Sequence, residues 1–164
     1  MLQKKICLLG AFGVGKTSLV RRFVDTIFSD AYLTTVGVKI DKKVLTIGTE
    51  PLALILWDIA GEDEMSAVRL SYLRGAAGYL LVVDGTRPET LETAASIRAR
   101  VDAEVGSIPF LALLNKADLV EDWALPAPRL QALESAGWTF RRTSAKTGEG
   151  VEASFEDLAA LLAR

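Results

Sequence analysis

Residues Gly10-Ala11-Phe12-Gly13-Val14-Gly15-Lys16-Thr17 form a complete G-x-x-x-x-G-K-[ST] element. Its chemistry is the capture of a phosphate chain. Glycines let the backbone curl until successive N–H groups face one anion, and a helix starting near Lys16 adds the positive end of its dipole. Lys16 brings a mobile ammonium to the outer phosphates and Thr17 a hydroxyl ligand for Mg²⁺. Gly13, Val14, Gly15 and Ser18 supply the surrounding backbone. Read alone, the stretch also fits a glycine-rich turn between a core strand and a helix. Its flanks favour the phosphate reading, and the expected ligand is a nucleoside di- or triphosphate.

Trp57-Asp58-Ile59-Ala60-Gly61 closes an apolar run. In an α/β sheet, an acid at a strand's C-terminal end beside the phosphate crevice is where a metal-linked carboxylate sits. Asp58 suits Mg²⁺, directly or through water, and Gly61 lets the backbone approach a terminal phosphate. The plainer role for Asp58 is capping the turn before a helix near 65–74. Thr34-Thr35-Val36-Gly37 lies in a polar segment, where Thr35 offers a metal-binding hydroxyl and a phosphate-binding N–H, or is simply a β-branched loop residue.

Two elements read a base. Asn115-Lys116-Ala117-Asp118, followed by Leu119, ends another apolar strand. A carboxylate at Asp118 accepts from both N1–H and the exocyclic amine of guanine, a donor pair that adenine lacks, and burying an acid for this purpose rejects the wrong base. Asn115 can tie neighbouring loops together, and the Lys116 methylenes can cover the base face. Ser144-Ala145-Lys146 supplies backbone amides for the guanine O6. Either element on its own would also pass for a polar surface loop.

These loops need a frame. Strand-length apolar runs alternate with helical patterns, which predicts an α/β domain with a mostly parallel sheet. Strands are expected at 3–9, 38–47, 51–58, 79–83 and 110–114, with Trp138-Thr139-Phe140-Arg141 as an edge strand. Gly48-Thr49-Glu50-Pro51 marks an antiparallel hairpin between the second and third. Helices are expected at about 16–26, along Leu91, Ala94, Ile97, Val101 and Val105, and along Val151, Phe155, Leu158 and Leu162.

The 164 residues suffice for one domain, 1–164, with a substantial core. A net charge of −2 with well-mixed signs argues against a nucleic acid or an anionic membrane as partner. The absence of histidine excludes a His-based dyad or metal site, and the single cysteine, Cys7, excludes an intrachain disulfide. No signal-peptide pattern or membrane-length apolar stretch is visible, so a cytoplasmic protein is expected.

Taken in order, Gly10 to Thr17, Thr35, Asp58 to Gly61, Asn115 to Asp118 and Ser144 to Lys146 resemble the Ras-like small GTPases over essentially the whole chain. Thr35-Val36-Gly37-Val38, Ser71 to Tyr79 and Ser144 to Val151 resemble the Rab branch most. The resemblance implies a P-loop NTPase fold: a six-stranded sheet with one antiparallel strand, flanked by helices. It implies GTP and GDP bound with Mg²⁺, GTP hydrolysis, and protein partners (effector, exchange factor, activator) gated by two switch segments at about 28–38 and 60–74. Phe28 would pack across the guanine and Tyr32 would close over the phosphates. Lys16, Thr35 and Glu62 would be the catalytic residues, and Thr17, Thr35 and Asp58 the metal-binding ones.

The chain departs from that family in three places. Glu62 stands where glutamine usually orients the attacking water. A carboxylate cannot donate to a phosphate oxygen, and two unit charges 4 Å apart repel by about 4 kcal/mol at an effective dielectric of 20. Glu62 therefore acts as an unusual base, slows turnover, or points into solvent beside Asp63 and Glu64. Phe12 replaces a small residue and would crowd an arginine supplied by an activator. The chain also ends at Leu161-Leu162-Ala163-Arg164 without prenylatable cysteines, so no membrane anchor is expected in it. Two other readings stay open: a guanine-nucleotide-binding interaction module with negligible hydrolysis, and a P-loop kinase using ATP on a small metabolite, against which Asp118 argues.

Overall fold

Five parallel strands bring the C-terminal ends of the apolar runs to one edge of a sheet. The structure is a computed structural model, and it describes residues 1–24, 32–33, 38–59 and 71–163. The strands are β1 (Leu2–Gly10), β2 (Tyr32–Leu33), β3 (Val38–Ile47), β4 (Glu50–Ile59), β5 (Ala76–Asp84), β6 (Phe110–Asn115) and β7 (Phe140–Arg142). Their order is β2-β3-β4-β1-β5-β6-β7. β1, β4, β5, β6 and β7 pair in parallel, and β3 runs antiparallel to both its neighbours. The six expected strands are therefore present, with β3 as the antiparallel one. A two-residue ladder, Tyr32 opposite Ile40 and Leu33 opposite Lys39, extends its edge.

The helices among the described residues are α1 (Lys16–Val24), α2 (Glu89–Val105), α3 (Ala127–Ser135) and α4 (Val151–Leu162). They cover both faces, which is why the central strands read as unbroken apolar runs rather than alternating ones. One face packs Ile6, Leu8, Leu80, Val82, Leu111 and Leu113 under α1 and α4. There Phe23 and Phe155 stack with centroids 4.0 Å apart and planes within 6°. The other face packs Cys7, Leu9, Tyr79, Leu81, Val83 and Leu114 under α2, α3 and Trp138.

Two expectations need correction. The last strand is Phe140–Arg142, not 138–141. Trp138 lies before it and is buried in the second cluster, edge-on to Phe110 at 5.4 Å. Aromatic packing, not strand pairing, accounts for its apolar character. Within the segment expected as a helix near 65–74, residues 71–73 form a single 3₁₀ turn, Ser71–Leu73, and 60–70 lie outside the described residues. The turn is held by buried Leu73, by the Cys7 thiol donating to the Tyr72 carbonyl at 3.8 Å, and by Lys5 donating to the Arg74 carbonyl at 2.9 Å. The predicted continuation of the first helix past Val24 also falls outside the described residues.

Candidate functional site

The phosphate loop joins β1, the central strand, to α1. β1 lies between β4 and β5, where connections diverge to opposite sides of the sheet and an α/β fold forms its ligand crevice. Gly10 is required by a close approach, since a Cβ there would lie 2.5 Å from the Val82 carbonyl oxygen of β5. Gly15 is required twice over: its φ is +102°, and a Cβ would lie 2.3 Å from the Asn115 amide nitrogen.

Each carbonyl from 11 to 15 accepts a hydrogen bond. Ala11 accepts from Lys16 Nζ at 3.4 Å, Phe12 from Arg87 Nη1 at 3.0 Å, and Gly13 from Lys116 Nζ at 3.3 Å. Val14 accepts from Asn115 Nδ2 at 2.9 Å and Gly15 from the Leu19 amide at 2.9 Å. A trans peptide directs its N–H opposite to its C=O, and the described residues contain no cis peptide. Where a side chain from another element holds a carbonyl, as Arg87, Lys116 and Asn115 do at Phe12, Gly13 and Val14, the amide that follows is turned away from that donor. This arrangement suits an anion.

Thr17 Oγ1 donates to Asp58 Oδ2 at 2.5 Å, across 41 positions of sequence. Asp58 is the penultimate residue of β4 and is buried. A hydroxyl and a carboxylate oxygen side by side form a hard-oxygen donor pair, which fits Mg²⁺ when substrate phosphates and waters complete the shell.

Beside the loop lies a cavity of about 400 Å³, lined by Gly15, Ser18, Asn115, Lys116, Asp118, Leu119, Ala145 and Lys146. All of these are nucleotide-binding candidates from the sequence. β6 delivers Asn115 to Leu119, and the turn after β7 delivers Ala145 and Lys146. The two loops are bonded together: the Thr143 hydroxyl donates to Asn115 Oδ1 at 3.1 Å, and the Ser144 hydroxyl to Asp118 Oδ1 at 2.7 Å. The Ala117 amide adds a bond to the Thr143 carbonyl at 3.0 Å.

Lys116 is the one non-glycine residue with positive φ among the described residues, at +68°. That conformation costs on the order of 1–3 kcal/mol and persists only where surroundings impose it. Here its ammonium is fixed at 2.7 Å from Asp84 Oδ2 and reaches the Gly13 carbonyl.

Sequence reading did not nominate Asp84 or Arg87. Asp84 ends β5 and is fully buried. Its Oδ1 accepts from the Thr86 amide at 2.9 Å and the Thr86 hydroxyl at 2.7 Å, and Arg87 Nη1 lies 3.7 Å from its Oδ2. Burial pushes this carboxyl's pKa up, but the Lys116 and Thr86 hydrogen bonds, with the Lys116 charge, leave it below the ordinary carboxylate value. No local motif marks this residue; the available signal was an acid ending an apolar strand, the same feature that pointed to Asp58.

Four nominated residues, Phe28, Thr35, Gly61 and Glu62, lie outside the described residues. Tyr32 lies in β2, opposite Ile40 of β3. Phe12 exposes 73 % of its surface, and its ring, unlike its carbonyl, is turned to solvent.

A model of the Ras family matches residues 5–164. Among curated proteins, Ras-related protein Rab-1D of Dictyostelium discoideum is 33 % identical over 157 residues, covering 94 % of this chain and 77 % of that protein. Ras-related protein Rab-10 of Caenorhabditis elegans is 31 % identical over 163 residues, covering 98 % and 81 %. Ras-related protein RABE1e of Arabidopsis thaliana is 33 % identical over 158 residues, covering 94 % and 72 %.

Proposed function

The chain belongs to the Ras family of small GTPases, with Rab proteins among its relatives, and on that premise we propose that residues 1–164 form one GTP-hydrolysing switch domain. It binds GTP and GDP with Mg²⁺, and protein partners read the state of its loops. The observation that carries this reading is the junction of a phosphate loop with a cavity lined by Asp118 and Lys146. Polyphosphate and purine recognition meet there on one sheet edge.

In this reading the Lys16 ammonium stabilises charge developing on the transferred phosphoryl group. Thr17, Thr35 and Asp58 hold Mg²⁺, which when bound neutralises phosphate charge. Asp118 accepts from the guanine donor edge while Ala145 and Lys146 face its carbonyl. Phe28 covers the base, Tyr32 the phosphates, and Gly61 donates to the terminal phosphate. Loss of that phosphate releases the segments at about 28–38 and 60–74.

Thr35, through its carbonyl, and Glu62 position the attacking water, and the carboxylate at 62 makes unassisted turnover slow. The exposed ring of Phe12 favours an activator that works without an inserted arginine. A cytoplasmic location is part of the same proposal. No helix among the described residues is long and apolar enough to cross a membrane.

Two measurements test this reading. Chromatography of the nucleotide released on denaturing the purified protein should yield GDP or GTP, and adenine nucleotides alone would overturn guanine selection. Single-turnover hydrolysis should accelerate in Glu62→Gln and change in Glu62→Ala. Equal rates in all three proteins would remove Glu62 from the mechanism, and no phosphate release at all would favour the interaction-module reading.

A further inference from the structure

Two of the side chains that hold the phosphate loop from outside, Lys116 and Asn115, come from the base-reading loop, so base and phosphate recognition share one support. Arg87 comes from elsewhere, the turn between β5 and α2, 75 positions from the carbonyl it meets. We propose that Arg87 is a positioning residue for the nucleotide's outer phosphates: its guanidinium, braced by Asp84, pins the Phe12 carbonyl outward and so aims the Gly13 amide inward. This proposal rests on the nucleotide-switch reading above and deepens it.

Several features make Arg87 a rigid post. Its amide donates to the Asp84 carbonyl at 3.0 Å. Its own carbonyl accepts from the Thr90 amide at 3.0 Å and the Thr90 hydroxyl at 2.7 Å. Thr90 is buried and also accepts from the Asp84 amide at 2.9 Å. The backbone below the side chain is thus fixed by the first turn of α2, and the guanidinium leaves it between two carboxylates. Nη1 lies 3.7 Å from Asp84 Oδ2, and Nε lies 3.3 Å from Glu89 Oε1. A planar fork held this way directs its N–H toward one acceptor with little remaining freedom.

The Phe12–Gly13 peptide needs such a post. Gly13 has a φ of +77° and no side chain to resist rotation, and the ring of Phe12 is turned to solvent rather than wedged into the core. The two peptides that follow have their own ties to Lys116 and Asn115. Losing the Arg87 bond would free one peptide to rotate while leaving the others held. That peptide serves a particular part of the ligand. Gly15 and Ser18 line the cavity assigned to the base and Gly13 does not, which leaves the Gly13 amide for the phosphate side of the loop.

The test uses Arg87→Met, which keeps the stem and removes the donors, with Arg87→Lys as the conservative variant and Glu89→Gln to weaken the outer ion pair alone. Arg87→Met should release GDP about three- to tenfold faster, and Arg87→Lys should recover part of the loss. The ³¹P resonance of the β-phosphate of bound GDP should move in Arg87→Met, while the α-phosphate resonance and the preference for GDP over IDP stay at wild-type values. Glu89→Gln removes the outer charge but keeps an oxygen that can accept from Arg87 Nε, so its GDP release rate should fall between those of wild type and Arg87→Met.

An unmoved β-phosphate resonance together with an unchanged release rate overturns the proposal. A loss that falls equally on base preference and both phosphorus resonances also overturns it, since Arg87 would then only support the fold. Failure of the wild-type protein to bind guanine nucleotides removes the switch reading itself, and the proposal with it. That result is read in the wild-type arm before any variant is compared.

Discussion

Ser144 donates its hydroxyl to Asp118 at 2.7 Å, joining two base-side loops that lie 26 positions apart. The same hydroxyl accepts from the Thr147 amide at 3.1 Å, so its proton and one of its two lone pairs are committed. One Asp118 oxygen is thereby held in place by a charge-assisted bond. The carboxylate proposed to read the base is thus fixed in orientation by the protein's own hydroxyl.

Asp118 and Ser144 should therefore fail differently. Asp118→Ala should bring the GDP-to-IDP affinity ratio close to one, because IDP lacks the exocyclic amine that the carboxylate distinguishes. Ser144→Ala should weaken both nucleotides by about tenfold and preserve the ratio. Competition against a fluorescent GDP analogue measures both, and a ratio unchanged in Asp118→Ala would show that the acid does not read the base.

Chelation of Mg²⁺ should speed GDP release from the wild-type protein by about tenfold or more, through loss of a ligand-linked cation. Thr17→Ala should begin near the chelated rate and respond little to the chelator. Stopped-flow release with and without EDTA makes the comparison. Full chelator sensitivity in Thr17→Ala would exclude the hydroxyl as a cation ligand.

Gly15→Ala adds an atom that would sit 2.3 Å from the Asn115 amide nitrogen, at a φ of +102°. Relief requires moving that nitrogen, which breaks its bond to the Val14 carbonyl. Backbone strain and the lost bond together should cost about 2–4 kcal/mol, or roughly thirtyfold or more in GDP affinity. Calorimetric titration reads this directly, and wild-type affinity would mean that the crowding is relieved elsewhere.

Asp84 gives a pH signature. Its carboxyl pKa is lower in the folded protein than in the open chain. The stabilisation is therefore complete above the ordinary carboxylate pKa of about 4, and it disappears as pH falls through the lowered folded value. Asp84→Asn should be less stable than wild type by about 1–3 kcal/mol at pH 7. The gap should narrow below about pH 4. Urea unfolding across that range checks the sign, and a constant gap would assign the loss to packing rather than charge.

Spacing alone made the glycine-rich loop after β1 and the two loops proposed to read the base legible, because each depends on residue types at fixed short intervals. The central strands were equally plain, since burial on both faces leaves continuous apolar runs such as Leu80 to Val83. Elements without that signature were not. Tyr32–Leu33 is too short to make a pattern. Trp138 looked like strand and proved to be aromatic core. Helix α3 shows little periodicity, with Leu133 the one buried residue in it. Asp84 and Arg87 were hidden for a different reason: their partners Lys116 and Phe12 lie 32 and 75 positions away, and only the chain's topology brings them together.

Cys7 has no exposed surface, and burial pushes its thiol pKa up to about 12. At neutral pH it is closed to maleimides and iodoacetamides, which attack the thiolate. The chain therefore comes with a silent labelling background. A dye or spin probe attached through a cysteine introduced anywhere in 25–31 or 60–70 would report from that position alone, with no native thiol to engineer away first.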